Sequence, residues 1–435
     1  MHKQCKTESL VNASSVDKSK RTTLETIGKG VLLGTSIIKA PYVFARQKHT
    51  LRVLGTHVTL QEPLRKRAMS DLGIDIQFEP KGSPSVLQRG LLSPESFDIY
   101  EQWSNSIRPL WRNHSIQAIE TKRITHWDEI NSLCKTGRVA PKAKYGAGDA
   151  PFKIVNVQGD GSLGSEQTGQ VSFLPYVHNV DSFGYNTNEI EQGIAYKTES
   201  WGWLLDKKHS GKVGIINDPT IGLFDLVLAA DASGAMKFTD IGNISVDELD
   251  RLFDILIDLK HQKFFGGFWN SVPESIDFME AGRVHIESMF SPAVSALNGK
   301  NVPVTFAAPK EGYRGWHGVM CLSSRAQGRA KDVAYEYMNW WLSGWPGAFI
   351  ARQGYYISNA QRSADYLEQS EWDYWYNGKP ASQPLKGPDG NISVNRGQVR
   401  SGGSYTDRFS NVAVWNTAMP TYDYTLRKWY EFISS

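Results

Sequence analysis

Residues 51–100 read LRVLGTHVTLQEPLRKRAMSDLGIDIQFEPKGSPSVLQRGLLSPESFDIY, and two alternating periodicities in this stretch decide the fold class. Short runs have the apolar pattern of β-strands, and the stretches between them have the apolar spacing of helices. The pattern predicts strands at 51–55, 73–78 and 97–100 and helices at 61–71 and 85–91. The order β-α-β-α-β is typical of a parallel sheet covered by helices, so we predict an α/β fold.

Two strand ends in this stretch are candidate binding positions. Ligands of open α/β sheets bind beyond the carboxyl ends of the strands. The first end carries Gly55-Thr56-His57, and the end near residue 101 carries Glu101-Gln102-Trp103-Ser104. We therefore expect Trp103 to offer a ring face to a ligand.

The chain after residue 100 continues the alternation of strands and helices. We predict extended segments at 171–177, 183–186, 214–219 and 302–306, and helices at 201–205, 219–228, 246–259, 330–341 and 422–433. Asp218 precedes Pro219 and is the predicted N-cap of its helix, and Ser245 is the predicted N-cap of the strongly amphipathic helix at 246–259. Residues 135–170 and 378–404 are rich in glycine and polar residues and are predicted to be irregular.

Composition limits the classes of protein to consider. The length of 435 residues suits two or three domains, and 40% hydrophobic residues suffice for a sizeable core. The net charge of +3 implies no broad basic surface, so nucleic acid is not an expected partner. The three cysteines, Cys5, Cys134 and Cys321, form no CxxC pair. We expect neither a cysteine zinc site nor a disulfide scaffold, and no cofactor or metal.

The N-terminal residues 1–48 have the pattern of an export signal. A polar and basic stretch precedes the short apolar run at 30–38, which is too short to span a bilayer. Ser19-Lys20-Arg21-Thr22-Thr23-Leu24 resembles a twin-arginine motif in which one arginine is replaced by lysine. We predict export to the periplasm and no membrane insertion of the mature chain. The alternative is an amphipathic or buried N-terminal helix.

Five short segments carry motifs that are weak alone and informative in this order. They are WGWLLDKKHSGKV at 201–213, NDP at 217–219, FMEAGRV at 278–284, APKEG at 308–312 with Trp316 after it, and GYYISN at 354–359. On these motifs the chain resembles, over residues 50–435, the soluble solute-binding proteins of ABC importers. The spermidine/putrescine-binding group is the nearest match within that family.

The resemblance implies a two-lobed periplasmic-binding-protein fold, type II-like, with two hinge crossings. Lobe one would comprise residues 49–174 and 309–435, and lobe two residues 175–308. The crossings fall near 174–176 and 307–309, where extended segments with proline also stand between βα units. The implied function is that of a periplasmic receptor, monomeric and not an enzyme, which delivers a small solute to an ABC permease and ATPase complex.

The resemblance also implies which residues line the binding cleft. They are Thr56, Thr59, Trp103, Asn105, Asp218, Phe290, Trp316 and Asn416. Gly318 and Ile221 stand where the family has acidic residues, so Asp218 is the only matched partner for an ammonium group. A buried diammonium without carboxylate partners is costly. We expect an amine or polyamine-like organic cation, and a monocation or a neutral polar solute fits better than spermidine or putrescine. Glu101 could restore negative charge.

Three other functions stay open at this point. A ferric-iron-binding protein of the same fold would use clustered tyrosines, for which Tyr355-Tyr356 is a candidate pair. A sugar or osmolyte binder would also use the aromatic surplus. An exported enzyme is the third alternative, although the sequence has no GxSxG, HExxH or dinucleotide-binding motif.

Overall fold

A computed structural model describes residues 49–435 of the chain. The predicted export segment at 1–48 lies outside the described residues. No helix in the described part is both long and apolar enough to cross a membrane.

Strands in the described residues range from two residues to thirteen in length. They are β1 (Thr50–Gly55), β2 (Asp75–Pro80), β3 (Ile99–Trp103), β4 (Ile116–Gln117), β5 (Ile119–Glu120), β6 (Ala147–Gly148), β7 (Asn156–Val157), β8 (Leu163–Gly164), β9 (Gln170–Val171), β10 (Leu174–Asn186), β11 (Val213–Ile216), β12 (Phe265–Trp269), β13 (Ile286–Met289), β14 (Val304–Phe306), β15 (Tyr313–Ser323), β16 (Tyr356–Ile357), β17 (Leu385–Lys386), β18 (Ile392–Val394) and β19 (Val412–Trp415).

The α-helices lie between these strands and at the C-terminal end of the chain. They are α1 (Glu62–Leu72), α2 (Ser83–Leu92), α3 (Ile107–Arg112), α4 (Ser132–Thr136), α5 (Gly222–Ser233), α6 (Val246–His261), α7 (Val272–Glu280), α8 (Ser291–Gly299), α9 (Gly328–Trp341), α10 (Trp345–Ala351), α11 (Ala360–Ser363), α12 (Gln369–Trp375), α13 (Tyr405–Phe409) and α14 (Tyr422–Ser434).

The predicted β-α-β-α-β unit is confirmed. Strand β1 pairs in parallel with both β2 and β3, and α1 and α2 connect them. The strand forms because Val53 and Leu54 bury completely against the helices that cover the sheet. Helix α1 starts with proline in its first turn and ends at Gly73, whose φ of 65° suits a glycine cap.

A single main sheet runs through the molecule in the order β12-β11-β13-β10-β15-β3-β1-β2. The thirteen-residue β10 replaces the two separate extended segments predicted at 171–177 and 183–186. Its residues up to Asp181 pair with β15, and from Ser182 onward they pair with β13. The sequence missed this continuity because polar residues in the middle of β10 interrupt its apolar pattern, although they are buried like their neighbours.

The start of α5 differs from the prediction. The helix begins at Gly222 rather than at Pro219, and Asp218 is not its N-cap. Asp218 Oδ1 instead accepts hydrogen bonds from the backbone N–H groups of Thr220 and Ile221, at 2.7 and 3.1 Å. These bonds close a tight turn ahead of the helix. Residues 201–205 also differ, because they form a 3₁₀ rather than an α-helix.

Helix α6 confirms both parts of its prediction, the N-cap at Ser245 and the amphipathic pattern. Ser245 Oγ accepts from the backbone N–H of Glu248, and the Glu248 carboxylate accepts from the backbone N–H of Ser245. This reciprocal pair satisfies two of the N–H groups that a helix start leaves unpaired. Leu249, Leu252 and Leu256 bury the apolar face.

The C-terminal helix α14 departs from the predicted lobe boundaries, which assign all of 309–435 to lobe one. Phe432 packs against Phe253 of α6 and against Phe265 and Phe268 of β12. Lys260 Nζ also donates to the backbone carbonyl of Phe432, at 2.9 Å. The helix therefore covers elements assigned to lobe two, because its apolar face finds its complement there.

Two large apolar cores flank the middle of the main sheet. One gathers Leu51, Ile99 and Trp341, and the other gathers Leu249 and Trp429 with their neighbours. We keep the two-lobe division as a proposal, with α14 moved to lobe two. Residues 135–170, predicted to be irregular, contain short strands of a four-stranded sheet in the order β5-β9-β7-β8.

Candidate functional site

A small cavity lies where β10 and β15 run side by side. Its volume is about 30 Å³. The lining residues are Val58, Trp103, Asp181, Ile221, Phe290, Arg314, Trp316, Tyr355 and Asn416. Strand β10 pairs with β15 up to Asp181 and with β13 from Ser182, and the lining residues come from both of these regions. The cavity is therefore a candidate for the cleft of a two-lobed receptor. Because this volume holds little more than a water molecule, an organic solute can enter only when the walls separate.

Aromatic rings form much of the wall. Trp103, at the carboxyl end of β3, and Trp316, in β15, have ring centroids 4.7 Å apart at 63°. Tyr355 meets Trp316 edge-on at 5.5 Å. Phe290, which precedes α8, packs perpendicular to Trp269 at 5.4 Å. The packing around each ring fixes its orientation before any ligand arrives.

Arg314 lies at the centre of a buried cluster of charges beside these rings. Its Nε donates to Asp225 Oδ1 at 2.7 Å, and its Nη2 lies 3.5 Å from Asp181 Oδ2. Its Nη1 donates to Asn416 Oδ1 at 3.2 Å. Two carboxylates face the guanidinium of Arg314, and the charge of the buried Arg408 also acts on Asp181.

Within this cluster, Asp181 has a carboxylate oxygen that is available to bond a ligand. The residue is 2% exposed, and its Oδ1 has no hydrogen-bond partner within residues 49–435. Burial raises the pKa of Asp181 to about 7, and the charge of Arg314 opposes that rise. Burial raises the pKa of Asp225 as well, but Arg314 is its close partner. An unpaired carboxylate oxygen in an aromatic cavity is suited to accept a proton or a cationic N–H group.

Four residues predicted from the sequence meet at this cavity: Trp103, Phe290, Trp316 and Asn416. Their role as ligand contacts stays a prediction. The three aromatic residues form part of the cavity wall. The amide oxygen of Asn416 is already occupied, because it accepts a hydrogen bond from Arg314.

The other four predicted residues do not line the cavity. Thr59 Oγ1 accepts from the hydroxyl of Tyr176 at 3.1 Å, and Thr56 is buried in the same loop. Asn105 is buried in the turn that follows β3, and Asp218 closes the turn before α5. In this loop Val58 reaches the cavity instead of either threonine.

Sequence reasoning missed Asp181 and Arg314, and it considered Tyr355 only as an iron ligand. Asp181 and Arg314 are opposite each other in the antiparallel register of β10 and β15. Both residues lie outside the predicted extended segments, and only the strands β10 and β15 show them as charges at buried strand positions, which usually have a partner. Arg314 also stands two residues before the predicted Trp316, and alternation places both on one face of the strand.

The carboxyl group of Glu101 lies in a separate buried network. It accepts from the hydroxyls of Tyr176 and Tyr337, at 3.0 and 3.1 Å. Burial raises the pKa of Glu101 to about 7. Glu101 is not among the residues that line the cavity, so it does not supply the ammonium partner that the sequence left open.

Tyr355 and Tyr356, the pair considered as iron ligands, face different parts of the molecule. Tyr355 lines the cavity, whereas the Tyr356 hydroxyl donates to the backbone carbonyl of Trp375 at 3.0 Å. Successive side chains of an extended segment face opposite sides, so the two phenolates do not converge. In the part of the chain that the structure describes, no group of three His, Cys, Asp or Glu residues is arranged to hold a metal ion.

Comparison with protein families identifies the class. A family model of bacterial extracellular solute-binding proteins matches residues 122–365, more than half of the chain. The chain therefore belongs to this family, and the predicted α/β fold and receptor class are confirmed. No curated protein sequence matches the chain at a significant level.

Solved structures share the fold at low sequence identity. A putative spermidine/putrescine ABC transporter protein from Listeria monocytogenes superposes with a TM-score of 0.62 at 12% identity, covering 88% of this chain and 98% of that one. The spermidine/putrescine substrate-binding protein PotD from Streptococcus pneumoniae gives 0.58 at 14% identity, covering 88% and 99%. The binding protein AgtB from A. tumefaciens R10, in complex with agropinic acid, gives 0.54 at 11% identity, covering 89% and 99%.

Proposed function

We propose that this solute-binding protein is the receptor of an ABC importer and that its solute is a small organic monocation. The observation that carries the proposal is the free Oδ1 of Asp181, buried among the aromatic rings of Trp103, Trp316 and Tyr355. The carboxylate pairs with the positive charge, and the ring faces hold the surrounding carbon atoms.

The energetics favour a single charge on the solute. Among the cavity's lining residues, Asp181 is the one carboxylate, and Arg314 contributes a positive charge. A second ammonium group in this cavity would meet no carboxylate partner and would lie near the guanidinium, which costs several kcal/mol. Each ring that contacts a cation adds about 0.5–2 kcal/mol. One carboxylate with several rings therefore suits a monoamine or a quaternary ammonium ion better than putrescine or spermidine.

The proteins of similar fold support the general class of solute. Two of them are named for spermidine and putrescine, and AgtB holds agropinic acid. The same architecture thus accommodates solutes of different charge, so the specificity of this chain rests on its own cavity residues.

We further propose that the protein works in the periplasm after export directed by residues 1–48, as a monomer and without catalysing a reaction. Its partner would be a permease with an attached ATPase, which recognises the lobes when they close on the solute. Membership of an extracellular solute-binding family supports the export and the binding role.

A binding panel tests the proposal on the exported chain. Thermal unfolding is followed with choline, a primary monoamine, putrescine, spermidine, glucose and ferric citrate. A ligand of the folded state at 100 times its dissociation constant stabilises the protein by about 2.7 kcal/mol. We expect the monocations to raise the midpoint and Asp181→Asn to weaken their binding by about 30-fold or more, since a buried charge pair is lost.

Asp218→Asn is the matched control, because it neutralises the carboxylate that the sequence nominated and that lies outside the cavity. We expect it to change the affinity by less than about threefold. A stronger response to putrescine or spermidine than to any monocation would contradict the proposal, and so would equal binding by Asp181→Asn. A response to ferric citrate or glucose alone would favour the corresponding alternative solute.

A further inference from the structure

A second, larger space lies between the segment 374–408 and the edge formed by β14 and α8. This groove encloses about 950 Å³. Its lining is about equally polar and apolar, and it includes the side chains of Asn298, Asn395 and Gln398. No residue lines both the groove and the cavity of Asp181.

Arg400 is a buried cation at the groove wall. The residue is 7% exposed, and its Nη1 and Nη2 donate to the backbone carbonyls of Trp375 and Gly354, at 3.1 and 2.8 Å. The guanidinium also lies over the rings of Tyr356 and Trp375, with its central carbon 4.8 and 4.9 Å from the ring centroids. Two of its five N–H groups are bonded in this way, which leaves donors for a ligand.

Arg408 is a second buried cation at the same wall. It is 1% exposed, and it donates to the backbone carbonyls of Ser401 and Val180, at 2.8 and 3.3 Å. Its Nε has no hydrogen-bond partner among the described residues. Like Arg400, it is held by carbonyl oxygens and ring faces rather than by an acid.

Neither guanidinium has a carboxylate within 4.0 Å in residues 49–435. Buried arginines normally pair with acids, because an unpaired charge in a protein interior is costly. The two positive charges also repel each other: burial and the charge of Arg408 both lower the pKa of Arg400. Glu199 lines the groove, but its two oxygens accept from the Tyr185 hydroxyl and from the backbone N–H of Ala308. The groove wall therefore carries two guanidinium groups that no carboxylate contacts directly, and the charge of the more distant Asp181 acts on Arg408.

We infer that this groove binds a small solute that carries an oxyanion, either a carboxylate or a phosphate. The planar guanidinium of Arg400 offers donors that match the two oxygens of such a group, and the Asn395 and Gln398 side chains of the same groove add polar groups. The anion supplies the charge that the two arginines lack. Citrate and inorganic phosphate represent the two sources of this chemistry.

Titration calorimetry with citrate and, separately, with inorganic phosphate tests the inference on the same exported chain without any cation. We expect heat of binding with at least one anion at concentrations up to about 10 mM, and weakening by about tenfold or more in Arg400→Gln, as charged hydrogen bonds are lost. Binding of citrate alone assigns a carboxylate ligand, and binding of phosphate alone assigns a phosphate ligand.

Val399 provides a second variant that does not depend on a buried arginine. It is 60% exposed and lines the groove, so Val399→Asp adds a carboxylate beside the arginines with little effect on folding. We expect Val399→Asp to weaken anion binding by about fivefold or more and the uncharged Val399→Asn by less than about twofold. Absence of heat with both anions would overturn the inference, as would equal affinities of the Asp and Asn variants. Neither result bears on the monocation proposed for the other cavity.

Discussion

Asp181 combines two properties that rarely occur together, nearly complete burial and an oxygen without a hydrogen-bond partner in the described chain. Arg314 compensates only part of its charge, because its Nη2 is 3.5 Å away and its shorter bond goes to Asp225. A cationic solute would complete the set of charges. In the proposed binding site, the unpaired oxygen of Asp181 is the group that the cation would bond.

The raised pKa of Asp181 predicts how cation binding depends on pH. The carboxylate must be ionised to pair with a cation, so below its pKa of about 7 each bound cation first requires loss of a proton. We expect the affinity of choline to fall by up to about tenfold per unit of pH below 7 and to level off above 7. Calorimetry from pH 5 to pH 9 measures this profile.

Asp181→Asn is the control for the pH profile, since it keeps the shape of the side chain and removes the titration. Its weaker binding should be nearly independent of pH between 5 and 9. A flat profile in the unchanged protein, or an affinity that falls as the pH rises through 7, would contradict the assignment of Asp181 as the partner of the cation.

Individual site residues could be predicted from the sequence where a local motif marks them. Trp316 follows the APKEG segment, and Trp103 ends a strand, so both were found and both reach the cavity. Asp181 and Arg314 were missed, because each becomes a site residue only through the other. Their approach depends on the register between β10 and β15, which are far apart in sequence.

Single elements of the fold are connected by buried polar contacts as well as by apolar packing. Glu101 of β3 accepts hydroxyl hydrogen bonds from Tyr176 of β10 and Tyr337 of α9, so one carboxyl group joins three elements. The cost of burying the charge raises its pKa from 4.5 to about 7. The network is therefore most stable when Glu101 is protonated.

This network predicts a pH dependence of stability. Because the folded-state pKa of Glu101 is above the unfolded value, its contribution is complete below pH 4.5 and is lost as the pH rises to about 7. We expect this group to lower the free energy of unfolding by about 3 kcal/mol across that window, with Asp181 acting in the same direction. Urea unfolding at pH 4.5, 6, 7 and 8 measures the change.

Glu101→Gln separates this contribution from those of other groups. The amide keeps an acceptor and a donor for the two tyrosine hydroxyls and does not titrate. The decline in stability between pH 4.5 and 7 should be smaller in this variant by about 3 kcal/mol. An equal decline in both proteins would show that folding does not raise the pKa of Glu101.

At the scale of the whole molecule, the C-terminal segment connects two regions of the chain. Strand β19 pairs with β15, and after a short loop α14 packs on α6 and β12. Phe432 is fully buried in this contact, whereas Tyr430 on the same helix is 62% exposed. The end of the chain thus contributes to the core of the region assigned to lobe two.

This arrangement predicts that Phe432→Ala destabilises the protein by about 3–5 kcal/mol, because the substitution leaves a cavity among several aromatic rings. Tyr430→Ala, the control on the exposed face, should change stability by less than about 0.5 kcal/mol. The midpoint of urea unfolding measures both. Equal effects of the two substitutions would mean that α14 does not contribute to the core in solution.

The sequence by itself determined the class of fold, the identities of most elements and three aromatic residues of the cavity, Trp103, Phe290 and Trp316. These features depend on local periodicity, capping residues such as Ser245 and short motifs, all of which act over a few neighbouring positions. The tertiary structure alone decided the length of β10, the partner of α14 and the pairing of Asp181 with Arg314. Each of these three features depends on which distant parts of the chain come into contact. Burial sets the pKa of a polar residue and decides whether its hydrogen-bonding groups have partners, and burial is a property of the folded chain.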